Sequence, residues 1–264
     1  MIALYIISGV VGAAAVVIIT VALLRRHRKI KLAEADIWLV NEFRRCNVMV
    51  FGKKGSGKDV IFAHVIALRG KKHYSNIPYN EDTEVITLDE INAGDNTFED
   101  CINGTVRKFE PRFDEGSDIY VSDAGIYFPN TMDKWLNELY PSMPVFMALS
   151  RHLYLNNVHT NCQAFGRPWK KIREQADSYI QVLGTHAHGD CLFVRILGYA
   201  KEKDAENEQN PTVKYTVCVP IAELEYDSRY FRTVFFDKPP TANEYVMSKI
   251  LRSIRYVKPN RKAK

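Results

Sequence analysis

Gly52-Lys53-Lys54-Gly55-Ser56-Gly57-Lys58-Asp59 is the stretch whose residue types and spacing most directly imply chemistry. Glycines let successive backbone N–H groups turn inward around an anion, and a lysine at the end of such a loop can reach the β and γ phosphates of a nucleotide. The pattern is that of a Walker A loop. ATP is therefore the expected ligand, held by the residues from Gly52 to Val60, with Lys58 as the catalytic cation. One position departs from the pattern: Asp59 stands where the motif has Ser or Thr, whose hydroxyl ordinarily ligates Mg²⁺. A carboxylate is a hard oxygen ligand for Mg²⁺ but repels phosphate, so nucleotide carrying the metal should be favoured over nucleotide without it.

A second acid lies at the end of Asp118-Ile119-Tyr120-Val121-Ser122-Asp123, a β-branched and aromatic run that reads as a Walker B strand. Asp123 is the expected partner of Asp59 in holding Mg²⁺. Many ATPases follow this acid with a Glu that polarises water, whereas here Ala124-Gly125 follow, which weakens the expectation of turnover more than that of binding. The competing reading of Asp123 is a residue closing a turn at the strand end.

These residues need elements to position them. Asn47 to Phe51 reads as a buried strand running straight into the loop, and Val60 to Leu68 as an apolar helix closed by Arg69-Gly70. Strand, loop, lysine and helix in that order are what the motif requires. With 264 residues, 46% of them apolar and 25% charged, the chain has material for one domain with a buried core. The five cysteines are odd in number and contain no CxxC pair, so neither a disulfide framework nor a zinc ribbon is indicated, and a reducing compartment fits.

The first part of the chain has a different character. Ile2 to Leu24 are 23 consecutive uncharged positions rich in Ile, Val, Ala and Leu. At about 1.5 Å per residue a helix of that length spans a hydrocarbon core of roughly 30 Å. A cleaved signal peptide would have a basic start and a shorter apolar run. Arg25-Arg26-His27-Arg28-Lys29-Ile30-Lys31 follows at once, and such clusters stay on the cytoplasmic side. The expected topology is a single pass through a membrane, the N-terminus outside and the body in the cytoplasm. Residues 1–31 and 245–264 hold five and seven basic residues with no acidic ones, leaving 24 basic against 31 acidic residues between them. An acidic body argues against wrapping nucleic acid over its whole surface, while basic flanks suit an anionic leaflet.

Several short runs resemble the zonula occludens toxin family of filamentous phages. Lys72-His73-Tyr74-Ser75-Asn76-Ile77-Pro78 is similar to that family's second strand. Ser150-Arg151-His152 followed by Thr160-Asn161-Cys162-Gln163, then Lys171-Ile172-Arg173 and Tyr226-Asp227-Ser228, resemble its later elements in order and spacing. The likeness covers roughly residues 46–230. It implies a membrane ATPase that helps filamentous phage assemble and leave through the inner membrane. The family's anchor follows its ATPase domain and a long extracytoplasmic region comes after, whereas here the apolar segment is N-terminal. Gln163 closes the strand-like segment Asn157 to Cys162, which in this class of P-loop fold lies beside the Walker B strand, where an amide can orient water or sense the γ phosphate. Arg151 and Arg173 are candidate arginine fingers supplied across a subunit interface, each set against the simpler reading of a solvated surface arginine.

Other signals are weaker. His186-Ala187-His188-Gly189-Asp190-Cys191 carries metal-capable side chains but reads better as a hairpin turn between Tyr179–Leu183 and Leu192–Leu197. Ala205 to Gln209 reads as a solvated loop before a strand from Val213 to Val219. Thr241-Ala242-Asn243-Glu244 is a capping-box pattern opening a basic amphipathic helix with Val246, Ile250, Ile254 and Val257 on one face.

The expected organisation is a transmembrane anchor over 1–24, a basic juxtamembrane linker over 25–45, a P-loop ATPase domain over 46–237 and a basic amphipathic C-terminal helix and tail over 238–264. The fold class is α/β, a P-loop NTPase domain with a mainly parallel sheet preceded by one transmembrane helix. Its expected partners are the inner membrane, further copies in a ring, phage coat or assembly proteins and, as a further candidate, single-stranded DNA. The rival readings are a P-loop scaffold without turnover and a DNA-translocating packaging motor.

Overall fold

Short runs that are buried on both faces form the middle of the sheet, as parallel strands do when helices cover them. They are Val48–Phe51 (β1), Asp118–Val121 (β4) and Val158–Cys162 (β5). The computed structural model describes residues 2–86, 113–139 and 157–224, with 144, 147, 148 and 150; the side chains of residues 2–15 lie outside that description. The remaining strands are His73–Ser75 (β2), Thr83–Val85 (β3), Ser178–His188 (β6), Cys191–Tyr199 (β7) and Val213–Pro220 (β8).

Among the described residues the sheet has eight strands, in the order β3-β2-β4-β5-β1-β6-β7-β8. Pairing is parallel from β3 through to β6 and antiparallel from β6 to β8. The fold is thus α/β with a mainly parallel sheet and a P-loop NTPase-like arrangement. The hairpin expected around Gly189-Asp190 joins β6 to β7, with His188 opposite Cys191. β5 lies between β1 and β4, so the strand ending before Gln163 runs beside the one ending before Asp123.

The helices are Ile2–Arg45 (α1), Lys58–Arg69 (α2), Ala124–Tyr127 (α3), Asp133–Leu139 (α4), Lys170–Arg173 (α5) and Glu202–Glu206 (α6). The stretch 25–45, expected as a linker, is the second half of the unbroken α1. Ala35, Leu39 and Phe43 recur every fourth residue on one face and are fully buried against β1, α2 and β8. No Gly or Pro interrupts the chain between Gly12 and Gly52, so nothing ends the helix early. Among the described residues, no helix is long and apolar enough to cross a membrane. The first 15 residues of the candidate anchor lack described side chains. Ala205 also differs from expectation: it is the buried residue of α6 rather than part of a solvated loop. The capping-box helix, Tyr226-Asp227-Ser228 and all else beyond Leu224 lie outside the described residues.

A buried ion pair ties the lower end of the helical layer to the sheet. Arg69, at the end of α2, places Nη2 at 2.7 Å from Asp118 Oδ2, and its Nη1 donates to the Phe43 carbonyl at the end of α1. Burial nevertheless pushes the Asp118 carboxyl up to about 6, against the opposing pull of Arg69.

Candidate phosphate-binding site

The loop after β1 is built where only glycine fits. Gly57 has φ 99°, and a Cβ there would come within 2.4 Å of Thr185 Cγ2 on β6. At Gly52 a Cβ would meet the Val182 carbonyl oxygen at 2.4 Å. β6 therefore backs the loop closely, and a side chain at either glycine would push it off the sheet. Lys53, Lys54 and Gly55 are exposed, whereas Ser56 and Lys58 are buried.

Two features fit this cradle for phosphate. Lys58 Nζ donates to the loop's own Lys53 carbonyl at 3.2 Å, a partner that a phosphate oxygen can replace. Ser56 Oγ is buried and has no hydrogen-bond partner among the described residues. A buried polar atom left in this state is costly unless a ligand completes it. Val60 differs from the expected contact set: its side chain is buried in the core of α2, so only its backbone faces the loop's end.

Asp59 sits at the centre of a polar network. Its Oδ1 accepts hydrogen bonds from Tyr79 Oη at 3.0 Å, Ser122 Oγ at 2.5 Å and Asn161 Nδ2 at 2.7 Å. Asn161 Oδ1 in turn accepts from the backbone N–H of Asp123 at 2.8 Å. Asn76 completes the frame by exchanging two bonds with the Ser122 backbone, at 2.7 and 3.0 Å. The loop, the end of β4 and the end of β5 are thereby locked into one unit.

Asp123 adopts φ 52°, in the left-handed region that non-glycine residues rarely occupy, and its side chain caps no helix. Its backbone closes the turn at the strand end, the Ile126 N–H donating to its carbonyl at 2.7 Å, while its carboxylate lies within the influence of Asp59 and Lys58. Burial raises the Asp123 pKa most, and the Asp59 charge raises it further. Lys58, the neighbouring Gln163 and Lys54 oppose the rise. The structure thus brings together Lys58, Asp59, Asp123 and Gln163, all singled out from the sequence. Gln163 also accepts from Arg167 Nη1 at 3.3 Å.

For Mg²⁺ the two carboxylates supply the donor set. Because three donors occupy Asp59 Oδ1, a cation would be taken by Oδ2. Among the described residues there is no cluster of three or more acidic, His or Cys side chains. A pair of carboxylates suits an ion bound by one or two carboxylates together with phosphate oxygens and water, the usual manner of Mg²⁺.

The arginines fare differently. Arg151 lies outside the described residues. Arg173 is buried at 6% exposure, its guanidinium 5.3 Å from the Phe165 ring centroid and its Nη1 directed to the Phe165 carbonyl. It is not a solvated surface arginine, because the aromatic shelf of Phe165 holds it inside. Sequence reasoning missed Asn76, Tyr79, Ser122 and Asn161 as site residues. A signal existed for Asn161, since strand alternation puts 161 and 163 on one face of the β5 end.

No protein-family model and no curated protein matches this sequence. Solved structures do show distant likeness. The genome packaging NTPase B204 of Sulfolobus turreted icosahedral virus 2, in complex with AMP, is 12% identical over 66% of this chain and 98% of its own, with a TM-score of 0.37. The N-terminal domain of zonular occludens toxin from Neisseria meningitidis is 11% identical over 71% and 97%, with a TM-score of 0.32. ATPases 2 and 3 of EssC from Geobacillus thermodenitrificans are 8% identical over 83% and 45%, with a TM-score of 0.41. The strand order and the loop, rather than these distant likenesses, define the fold.

Proposed function

We propose that this chain binds ATP with Mg²⁺ and hydrolyses it, acting as a membrane-anchored ATPase that drives assembly and export of filamentous phage through a host inner membrane. The observation that carries the nucleotide part is the bonded chain Asp59–Asn161–Asp123, which fixes the phosphate loop and the acid of β4 in one frame. Lys58 neutralises the β and γ phosphates once it leaves the Lys53 carbonyl. Ser56 and the loop N–H groups cradle them. Asp59 and Asp123 would hold Mg²⁺, which when bound supplies charge neutralisation at the phosphates. Gln163, beside Asp123, would orient a water at the γ phosphate.

The anchor over 1–24, the cytoplasmic body, the ring of copies and the coat or assembly partners belong to the same reading, which the apolar run and the family resemblance support. Arg151 is its remaining candidate finger. A second reading, a scaffold without turnover, is favoured by two observations: three donors already occupy Asp59 Oδ1, and no glutamate follows Asp123.

Purified full-length protein assayed for ATP binding and phosphate release separates these. The proposal expects Mg²⁺-dependent binding, lost by at least a hundredfold in Lys58→Ala, and turnover stimulated by coat protein. Binding without turnover selects the scaffold, and stimulation by single-stranded DNA selects a packaging motor.

A further inference from the structure

We propose that the groove between the upper half of α1 and the outer strands of the sheet binds the headgroup of an anionic phospholipid. The inference rests on the reading of residues 2–24 as a membrane anchor and adds to it a built lipid site on the body.

One face of α1 runs through Leu24, Arg28, Leu32, Ala35, Leu39 and Phe43, spaced three or four apart. Its lower part is buried, Ala35, Leu39 and Phe43 each being fully covered, whereas Arg28 and Leu24 are exposed. The helix therefore parts from the sheet above Leu32. The parting opens a groove of about 700 Å³. Phe193, Ile196, Leu197 and Tyr215 line it on the sheet side. The Arg28 guanidinium lies 5.3 Å from the centroid of the Phe193 ring.

The polar lining is strongly one-sided. Arg28 and Lys31 come from the helix, Arg195 and Lys214 from the sheet, and Glu34 is the carboxylate among them. Four cations against one carboxylate call for an anion. An apolar lining calls for hydrocarbon attached to it. Free phosphate has no use for that lining, and a nucleic acid strand would need a basic track longer than this groove. A phospholipid with a net negative headgroup meets both demands. Position agrees as well: Leu24, the last residue of the apolar run, forms one end of the groove, at the depth where headgroups would stand.

The test uses the full chain in zwitterionic detergent micelles, titrated with dihexanoyl phosphatidylglycerol and with dihexanoyl phosphatidylcholine. Saturable binding of the glycerol lipid in preference to the choline lipid is expected. Arg195→Gln/Lys214→Gln, at two exposed positions outside the nucleotide site, should weaken it by about thirtyfold, from roughly fivefold per basic residue at an anionic surface. ATP binding should be unchanged, which establishes that the variant folds. Equal affinity for the two lipids, an unaffected double variant, or displacement of the glycerol lipid by inorganic phosphate or by an oligothymidylate would each overturn the proposal. Alkaline extraction of cell membranes judges the anchor separately: release of the chain refutes the anchor without altering the micelle isotherms.

Discussion

A carboxylate at the end of a phosphate loop places negative charge where the ligand is most negative. Two unit charges about 4 Å apart near a protein surface interact by roughly 1–4 kcal/mol. Asp59→Ser should therefore raise ATP affinity in the absence of Mg²⁺ by about tenfold or more, and flatten the dependence of affinity on the metal. Titration of ATP with and without Mg²⁺ checks this, and equal metal dependence in the two proteins would mean that Asp59 does not meet the phosphates. A second consequence concerns pH. Asp123 is raised by burial first and by the Asp59 charge next. Protonation of Asp123 removes a metal ligand, so Mg²⁺-supported binding should fall on the acid side. Asp59→Asn removes the repulsive charge, lowers the Asp123 pKa and should move that fall to lower pH. At this scale the glycines, Lys58, Asp59 and Asp123 were legible because their chemistry is local. Asn161 reaches Asp59 across 102 positions of sequence, marked only by sharing a strand face with Gln163, and Ser122 does so across 63, with nothing in the neighbouring residues to mark the contact.

Elements are held in place by the same long-range polar contacts. Arg69 joins the end of α2 to Asp118 at the start of β4, with side-chain exposures of 5% and 3%. Removing one member of a buried pair leaves the other charge uncompensated, at about 3–5 kcal/mol. Arg69→Met should lose stability on that scale at pH 7.5, and the added change Asp118→Leu should recover part of it, as urea unfolding would register. The deficit should also depend on pH. In the parent the folded Asp118 titrates at about 6, above its unfolded value near 4, so its contribution to stability falls as pH rises between them. Without Arg69 its folded pKa rises further and the cost of the carboxylate grows. The deficit at pH 7.5 should thus shrink on acidification to pH 5, where Asp118 is mostly protonated and needs no cation. A deficit independent of pH would locate the effect in the lost Arg69 bond to the Phe43 carbonyl instead. The alternating hairpin of β6 and β7 was readable from its pattern and turn. The second half of α1 was not, because its basic cluster resembles a linker and its apolar face shows only one residue per turn.

At the scale of the whole molecule, α1 decides how the nucleotide domain stands relative to a membrane. It is a single helix of 44 residues, and among its described side chains the first that is fully buried is Ala35. Ala35 follows Leu24 by 11 positions, or roughly 16 Å along a helix axis. If Ile2 to Leu24 is embedded, the body hangs close beneath the leaflet on a stiff connection, with the outer strands β7 and β8 nearest to it. The cluster from Arg25 to Lys31 then fixes the side, since basic residues next to an anchor stay in the cytoplasm. Cys191 on β7 and Cys218 on β8 are free and partly exposed, and so report on which side the body lies. An impermeant maleimide applied to intact spheroplasts should leave both unlabelled and should react with them once the membrane is permeabilised. Ile2→Cys, at the opposite end of the apolar run, should show the reverse and label without permeabilisation. Labelling of Cys191 in intact spheroplasts would place the phosphate loop outside, away from cytoplasmic ATP, and the nucleotide-driven role would fall with the topology.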